Sequence, residues 1–192
     1  MPTLKALAPP LLWISLLGIP AAFAAPSNPG SPNLGKPVSA ADIARWDIDI
    51  GRDGKWLPPG DGTAAQGAPI FAEKCSACHG DGGRGTELSR KGLPSPPALV
   101  SDRKFKAIDG STTTIPNFWP YAPPLFGYIR AAMPWTEPRS LTDHEVYALT
   151  AYILAENKLI DSRQVMNAHT LAKVMMPNRK GFLVRFPEIT PR

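Results

Sequence analysis

Apolar residues fall at helical spacing in three stretches of the chain. Ile70 and Phe71 follow Thr63-Ala-Ala-Gln66, a pattern in which each side chain can satisfy the other residue's backbone N–H at a helix start. The spacing predicts a helix from there that carries Gly67 and runs into Cys75 and Cys78. Pro69 falls in its first turns, where a missing N–H costs little. Leu125, Phe126, Ile129 and Ala132 predict a second helix over 124–132. Met133-Pro134 ends it, because proline disfavours helical geometry in the residue before it. Thr142-Asp-His-Glu145 repeats the cap and opens a third helix with Val146, Leu149, Tyr152 and Ile153 on one face. Ser39-Ala-Ala-Asp42 resembles the same cap and predicts a short helix through Arg45 or Trp46. Trp46, Ile48 and Ile50 then alternate with acidic residues, as in a short extended arm, and Gly51 to Gly62 is rich in turn formers. The glycines after His79 and Pro94, Pro96 and Pro97 exclude a long element and predict irregular backbone wrapped around something. Beyond Asn157 the pattern is loop-like, with a short helix near Thr170.

One further apolar run stands apart, at the N-terminus. Lys5 precedes Leu11, Leu12, Trp13, Ile14, Leu16 and Leu17; Pro20 interrupts, and Ala22-Phe23-Ala24 has the small-x-small form of a cleavage site. The run is too short and broken for a comfortable span of ~20 apolar residues. Residues 1–24 therefore read as a secretory signal peptide, and the chain as exported to the periplasm with no stable membrane span after cleavage. Residues 25–62 read as a flexible leader and N-terminal arm, 63–156 as the folded domain and 157–192 as a C-terminal tail.

The candidate chemistry is concentrated in Cys75-Ser-Ala-Cys78-His79. C-x-x-C-H is the attachment pattern of a c-type haem. Two thiols on one helical turn can add across the porphyrin vinyl groups, and the next residue then offers an imidazole to the iron. A structural zinc site needs four ligands, yet the chain holds 2 cysteines and 3 histidines, and His144 and His169 do not form an H-x3-5-H pair. A thioredoxin-like pair would sit in a βαβ setting, and a disulfide would leave His79 unexplained. The sequence thus predicts one covalently attached haem c, with its iron bound by His79.

Candidates for a second iron ligand are Met133, Met166, Met175, Met176, His144 and His169. Met133 is favoured by its place between a helix end and a capped helix; Met176-Pro177 is the rival. A ligating imidazole needs its other N–H held. A carbonyl in Pro97-Ala98-Leu99 would do this, with Leu99 against the ring edge. Trp119 and Tyr121 read equally as propionate donors or as ordinary packing. Gly67 would let the first helix approach the last, with Phe71 against Tyr152.

The formal charge of +5 falls to +4 when cleavage removes Lys5 and no acid. That balance is compatible with an acidic partner. No basic run with interleaved aromatics points to nucleic acid.

Gly67-x-x-Ile-Phe-x-x-x-Cys-x-x-Cys-His-Gly80, Met133-Pro134 and Leu141-Thr-Asp-x-Glu-Val-x-Ala-Leu-x-Ala-Tyr-Ile153 resemble class I cytochrome c. The resemblance implies an all-α class I cytochrome c fold around one haem, with its first and last helices crossing beside it. Ala44-x-Trp-Asp-Ile-Asp49, Leu57-Pro-Pro-Gly60, Asn117-Phe-Trp-Pro-Tyr-Ala122, Tyr128-Ile-Arg-x-Ala-Met-Pro-Trp135 and Met176-Pro-Asn-Arg-x-Gly-Phe182 resemble, more closely, the cytochrome subunit of periplasmic sulfite and sulfane dehydrogenases. This implies a molybdenum-containing dehydrogenase subunit as electron donor, an arm and tail that wrap it, and a downstream cytochrome c or oxidase as acceptor. Alternatives are a free periplasmic carrier to a terminal oxidase, and a catalytic haem enzyme with an open iron position.

Overall fold

The computed structural model describes residues 35–46, 49–92, 95–101 and 114–182. The predicted signal peptide, most of the leader, Ile48 and Pro94 lie outside these. The chain divides into two units, Met1–Ala40, described only over its last six residues, and Ala41–Arg192.

Helix α1 spans Ala40–Trp46, as the sequence predicts. The turns after it lead to a two-residue strand, β1 (Asp61–Gly62), and then to α2 (Ala64–Lys74). Thr63 and Gln66 form the reciprocal cap: the Thr63 N–H donates to Gln66 Oε1 at 2.9 Å, and the Gln66 N–H donates to Thr63 Oγ1 at 3.3 Å. Pro69 stands inside the helix rather than at its start, so the Ala65 carbonyl has no N–H to accept four residues on. The helix does not carry both cysteines. It ends at Lys74, Cys75 breaks it, and a new turn, α3 (Ser76–His79), begins.

Short helices α4 (Glu87–Arg90) and α5 (Ile115–Phe118) punctuate the irregular region. Helix α6 runs over Ala122–Ala132, with prolines in its first turn, where fixed φ favours a start. Helix α7 (Asp143–Glu156) begins at the predicted Thr142 cap. The Arg130 guanidinium donates to Asp143 at 2.7 Å and ties the end of α6 to the start of α7.

Helices α2 and α7 form the central pair. A Cβ on Gly67 would run into the Ala148 carbonyl and stand 2.8 Å from Tyr152 Cβ, so only glycine allows this crossing. The Phe71 and Tyr152 rings pack beside it, 5.1 Å between centroids. The predicted single apolar face of α7 understates its burial. Tyr147, Ala148, Thr150, Ala151 and Leu154 are buried along with Val146, Leu149 and Ile153.

The tail explains why. Strand β2 (Met166–Asn167) pairs antiparallel with β1, Asp61 opposite Asn167, and leads into α8 (Ala168–Leu171). Met166, Leu171, Val174 and Met176 enter the same core. Arm and tail are thus joined to each other and cover α7.

The α7 cap gives a pH-dependent prediction. The backbone N–H of Thr142, and then its hydroxyl, hold the Glu145 carboxyl below the usual carboxylate value of 4.5. A depressed folded pKa stabilises above the ordinary carboxylate range, and that stability is lost as pH falls through the folded value. Glu145→Ala is expected to cost about 1 kcal/mol at pH 7. The difference from wild type should shrink in acid, as measured by guanidinium unfolding at each pH.

Candidate metal centre

Cys75, Cys78 and His79 are presented by the break between α2 and α3. The Cys75 carbonyl accepts from the Cys78 and His79 N–H groups at 3.2 and 2.9 Å, which puts the three residues on one helical turn. Gly80 follows at φ +76°, and its missing side chain lets the chain turn back against Gly85. The Gly85 N–H then donates to the His79 carbonyl at 2.8 Å.

That return builds a support for His79. Leu99 and Val100 donate to the Gly83 carbonyl at 2.7 and 3.0 Å. From the other side, Asn157 at the end of α7 donates through Nδ2 to the Leu99 carbonyl at 3.2 Å, and accepts from the Ser101 N–H at 3.2 Å. The Ile115 N–H also reaches the Leu99 carbonyl, at 3.1 Å. So held, the loop sets the Pro97 carbonyl 2.9 Å from His79 Nδ1. A carbonyl only accepts, so Nδ1 carries the proton and Nε2 keeps its lone pair for a metal.

These residues line a cavity of about 810 Å³. Its walls are almost wholly apolar: Phe71, Leu99, Ile115, Leu125, Leu149 and Ile153 are among them. The size lies within the ~300–1,000 Å³ of ligand and cofactor sites. Cys75, Cys78, His79, Pro97, Leu99, Trp119 and Met133 all line it. Met133 caps α6, its N–H donating to the Ile129 carbonyl at 3.0 Å, and Pro134 and Trp135 continue the wall.

The rival ligands lie elsewhere. Met166 and Met176 are buried in the core without lining the cavity, and Met175 is exposed. His144 and His169 are exposed, held near Asp61 and Lys173 respectively. Tyr121 does not line the cavity either; its ring lies under the guanidinium groups of Arg52 and Arg179.

The residues present fit a haem. A large apolar cavity takes a planar macrocycle, two thiols stand at its wall, and an imidazole and a thioether both reach it. Burial, and then the neighbouring Cys78, push the Cys75 thiol up to about 11, so it is held neutral. Among the described residues no group of three or more His, Cys, Asp or Glu gathers that could hold a metal ion.

Asn157, which lies where the pattern turns loop-like, and the rim residues Phe118, Tyr128 and Trp135 carry no site signal in the sequence. Tyr128 and Trp135 bound the Tyr128-Ile-Arg-x-Ala-Met-Pro-Trp135 motif, whose pattern alone gives them no role. Asn157 carried only the weak signal of an asparagine at a helix end.

Known proteins resemble the chain over the region that builds this cavity. Residues 62–153 match the family described as cytochrome c oxidase, cbb3-type, subunit III. The chain shares its fold with one in the crystal structure of the sulfane dehydrogenase SoxCD from Paracoccus pantotrophus. The TM-score is 0.69 at 30% identity, covering 80% of this chain and 72% of that one. A thiosulfate dehydrogenase from Psychrobacter arcticus is 34% identical over 86 residues, which is 45% of this chain. The chain spans only 24% of that protein's length. The chain belongs to the cytochrome c family. Within it, the relatives are proteins of sulfur oxidation. Among the described residues, no helix is long and apolar enough to cross a membrane.

Proposed function

We propose that this chain is a periplasmic monohaem cytochrome c that accepts single electrons from the molybdenum-containing subunit of a sulfite or sulfane dehydrogenase. It would pass them to a downstream cytochrome c or oxidase. The observation that carries the haem assignment is the shared cavity of Cys75, Cys78, His79 and Met133. The sulfur assignment rests on the SoxCD likeness over most of the chain. When bound, the haem iron supplies a one-electron couple.

The residues divide the remaining work. Cys75 and Cys78 anchor the group as thioethers. His79 offers Nε2 to the iron while its Nδ1–H donates to the Pro97 carbonyl, which fixes the ring orientation and raises ligand basicity. Met133 offers a thioether, which favours the reduced state and raises the potential. With His79 and Met133 both on the iron, no position would be left for a substrate, so the centre would exchange electrons and not atoms. Chemistry on sulfur belongs to the partner, since both cysteines of this chain are spent on haem.

Native isolation from periplasm tests the reading. Iron and molybdenum in near-equal amounts, with a second polypeptide, are expected. A monomer-sized peak with iron alone would make the chain a free carrier.

A further inference from the structure

Among the described residues, three of four tryptophans stand in solvent: Trp46 (76% exposed), Trp56 (62%) and Trp135 (81%). Tryptophan is on average highly buried, and it is enriched among the residues that dominate protein–protein binding. Trp135 belongs to the cavity rim. Trp56 does not line the cavity, and its backbone sits at φ +64°, a left-handed conformation that a bulky side chain adopts at a cost. The fold therefore keeps a large aromatic in a strained surface position where its own chain covers little of it.

The surroundings of Trp56 indicate what would cover it. Its turn leans on the tail: Gly54 lies against Ala172 and the Ala168 carbonyl. Arg52 from the turn and Arg179 from the tail both stack on the Tyr121 ring, 5.7 and 5.1 Å from its centroid. Arg179 also donates to the sulfur of the exposed Met175 at 3.6 Å. Turn, Tyr121 and tail form one continuous face. Residues 161–182 carry Arg163, Lys173, Arg179 and Lys180 and a single acid, Asp161, which pairs with Arg163 at 3.3 Å. The turn adds Arg52, and a Lys55 paired with Asp53. An exposed aromatic is thus bordered by cations, some held flat by stacking and so preorganised for carboxylates.

We propose that this face, centred on Trp56, is the docking surface for an acidic protein partner. Resting on the function proposed above, that partner is the molybdenum-containing subunit. The aromatic supplies the buried anchor, and the cations set salt dependence and association rate. An anionic membrane matches the face less well, because lipid surfaces are met by amphipathic helices, whereas here the apolar anchor sits on a turn.

Trp56→Gly separates docking from structure, since glycine adopts positive φ without strain. The holocytochrome should keep its spectrum, and its unfolding temperature should be unchanged or raised. Molybdenum co-isolating per iron should fall about tenfold or more. Lys173→Glu should lose molybdenum at lower salt than wild type does. Wild-type protein carrying molybdenum, with both variants retaining it, would overturn this surface and leave the proposed function standing. Wild-type protein without molybdenum would overturn both. Binding of the holocytochrome to phosphatidylglycerol vesicles, abolished by Lys173→Glu, would reassign the face to a membrane.

Discussion

Replacing both Cys75 and Cys78 by serine is expected to leave the chain without covalent pigment and without a stable fold. The cavity these thiols line measures about 810 Å³. At about 24 cal/mol per Å³ of void, a sealed empty cavity of that size would cost on the order of 20 kcal/mol. The cavity opens to solvent, so this is an upper bound. Even half of it matches the ~5–15 kcal/mol that holds a typical domain together. The haem is thus a large share of the core, and a small domain has little else to replace it with. Haem staining after denaturing electrophoresis and far-ultraviolet circular dichroism check the two halves of the expectation. Pigment that survives denaturation without either thiol would refute the attachment sites.

Gly67→Ala should destabilise the holoprotein by about 3 kcal/mol. At an exposed helix position the same change would stabilise by about 1 kcal/mol, because alanine is the better helix former. The sign reverses here because the new methyl meets the Ala148 backbone, which cannot rotate away as a side chain could. Gly62 presses on the same residue, its absent Cβ falling 2.6 Å from Ala148 Cα. Helices α2 and α7 cannot separate without opening the cavity wall formed by Phe71, Leu149 and Ile153. Guanidinium unfolding should show a lower midpoint, with haem absorbance and helix signal lost together. An unchanged midpoint would mean that the helices do not cross at Gly67.

The parts of the fold readable from the sequence are those fixed locally. The Thr63 and Thr142 caps place two helix starts because donor and acceptor lie three residues apart. Pro134 marks the end of α6 for an equally local reason. The ring contact of Phe71 with Tyr152, the approach at Gly67 and the Pro97 carbonyl on His79 also agree with the sequence reading. What was not legible depends on distant partners. The β1–β2 pair joins Asp61 to Asn167 over only two residues each, too short for any alternation to show. The burial of α7 on several sides follows from a tail whose apolar residues have no helical period. Tyr121 is drawn away from the cavity toward Arg52 and Arg179, which come from opposite ends of the domain. The α5 cap uses Thr114 with Asn117, a variant that the Glu/Gln pattern does not cover.

The decisive measurement is the far-red absorption of the oxidised holoprotein, compared among wild type, Met133→His and Met176→Leu. A haem iron held between His79 and Met133 predicts the weak band of a sulfur–iron bond in wild type and in Met176→Leu, and its loss in Met133→His. A band that persists in Met133→His, or one that vanishes in Met176→Leu while that protein stays folded, would contradict it.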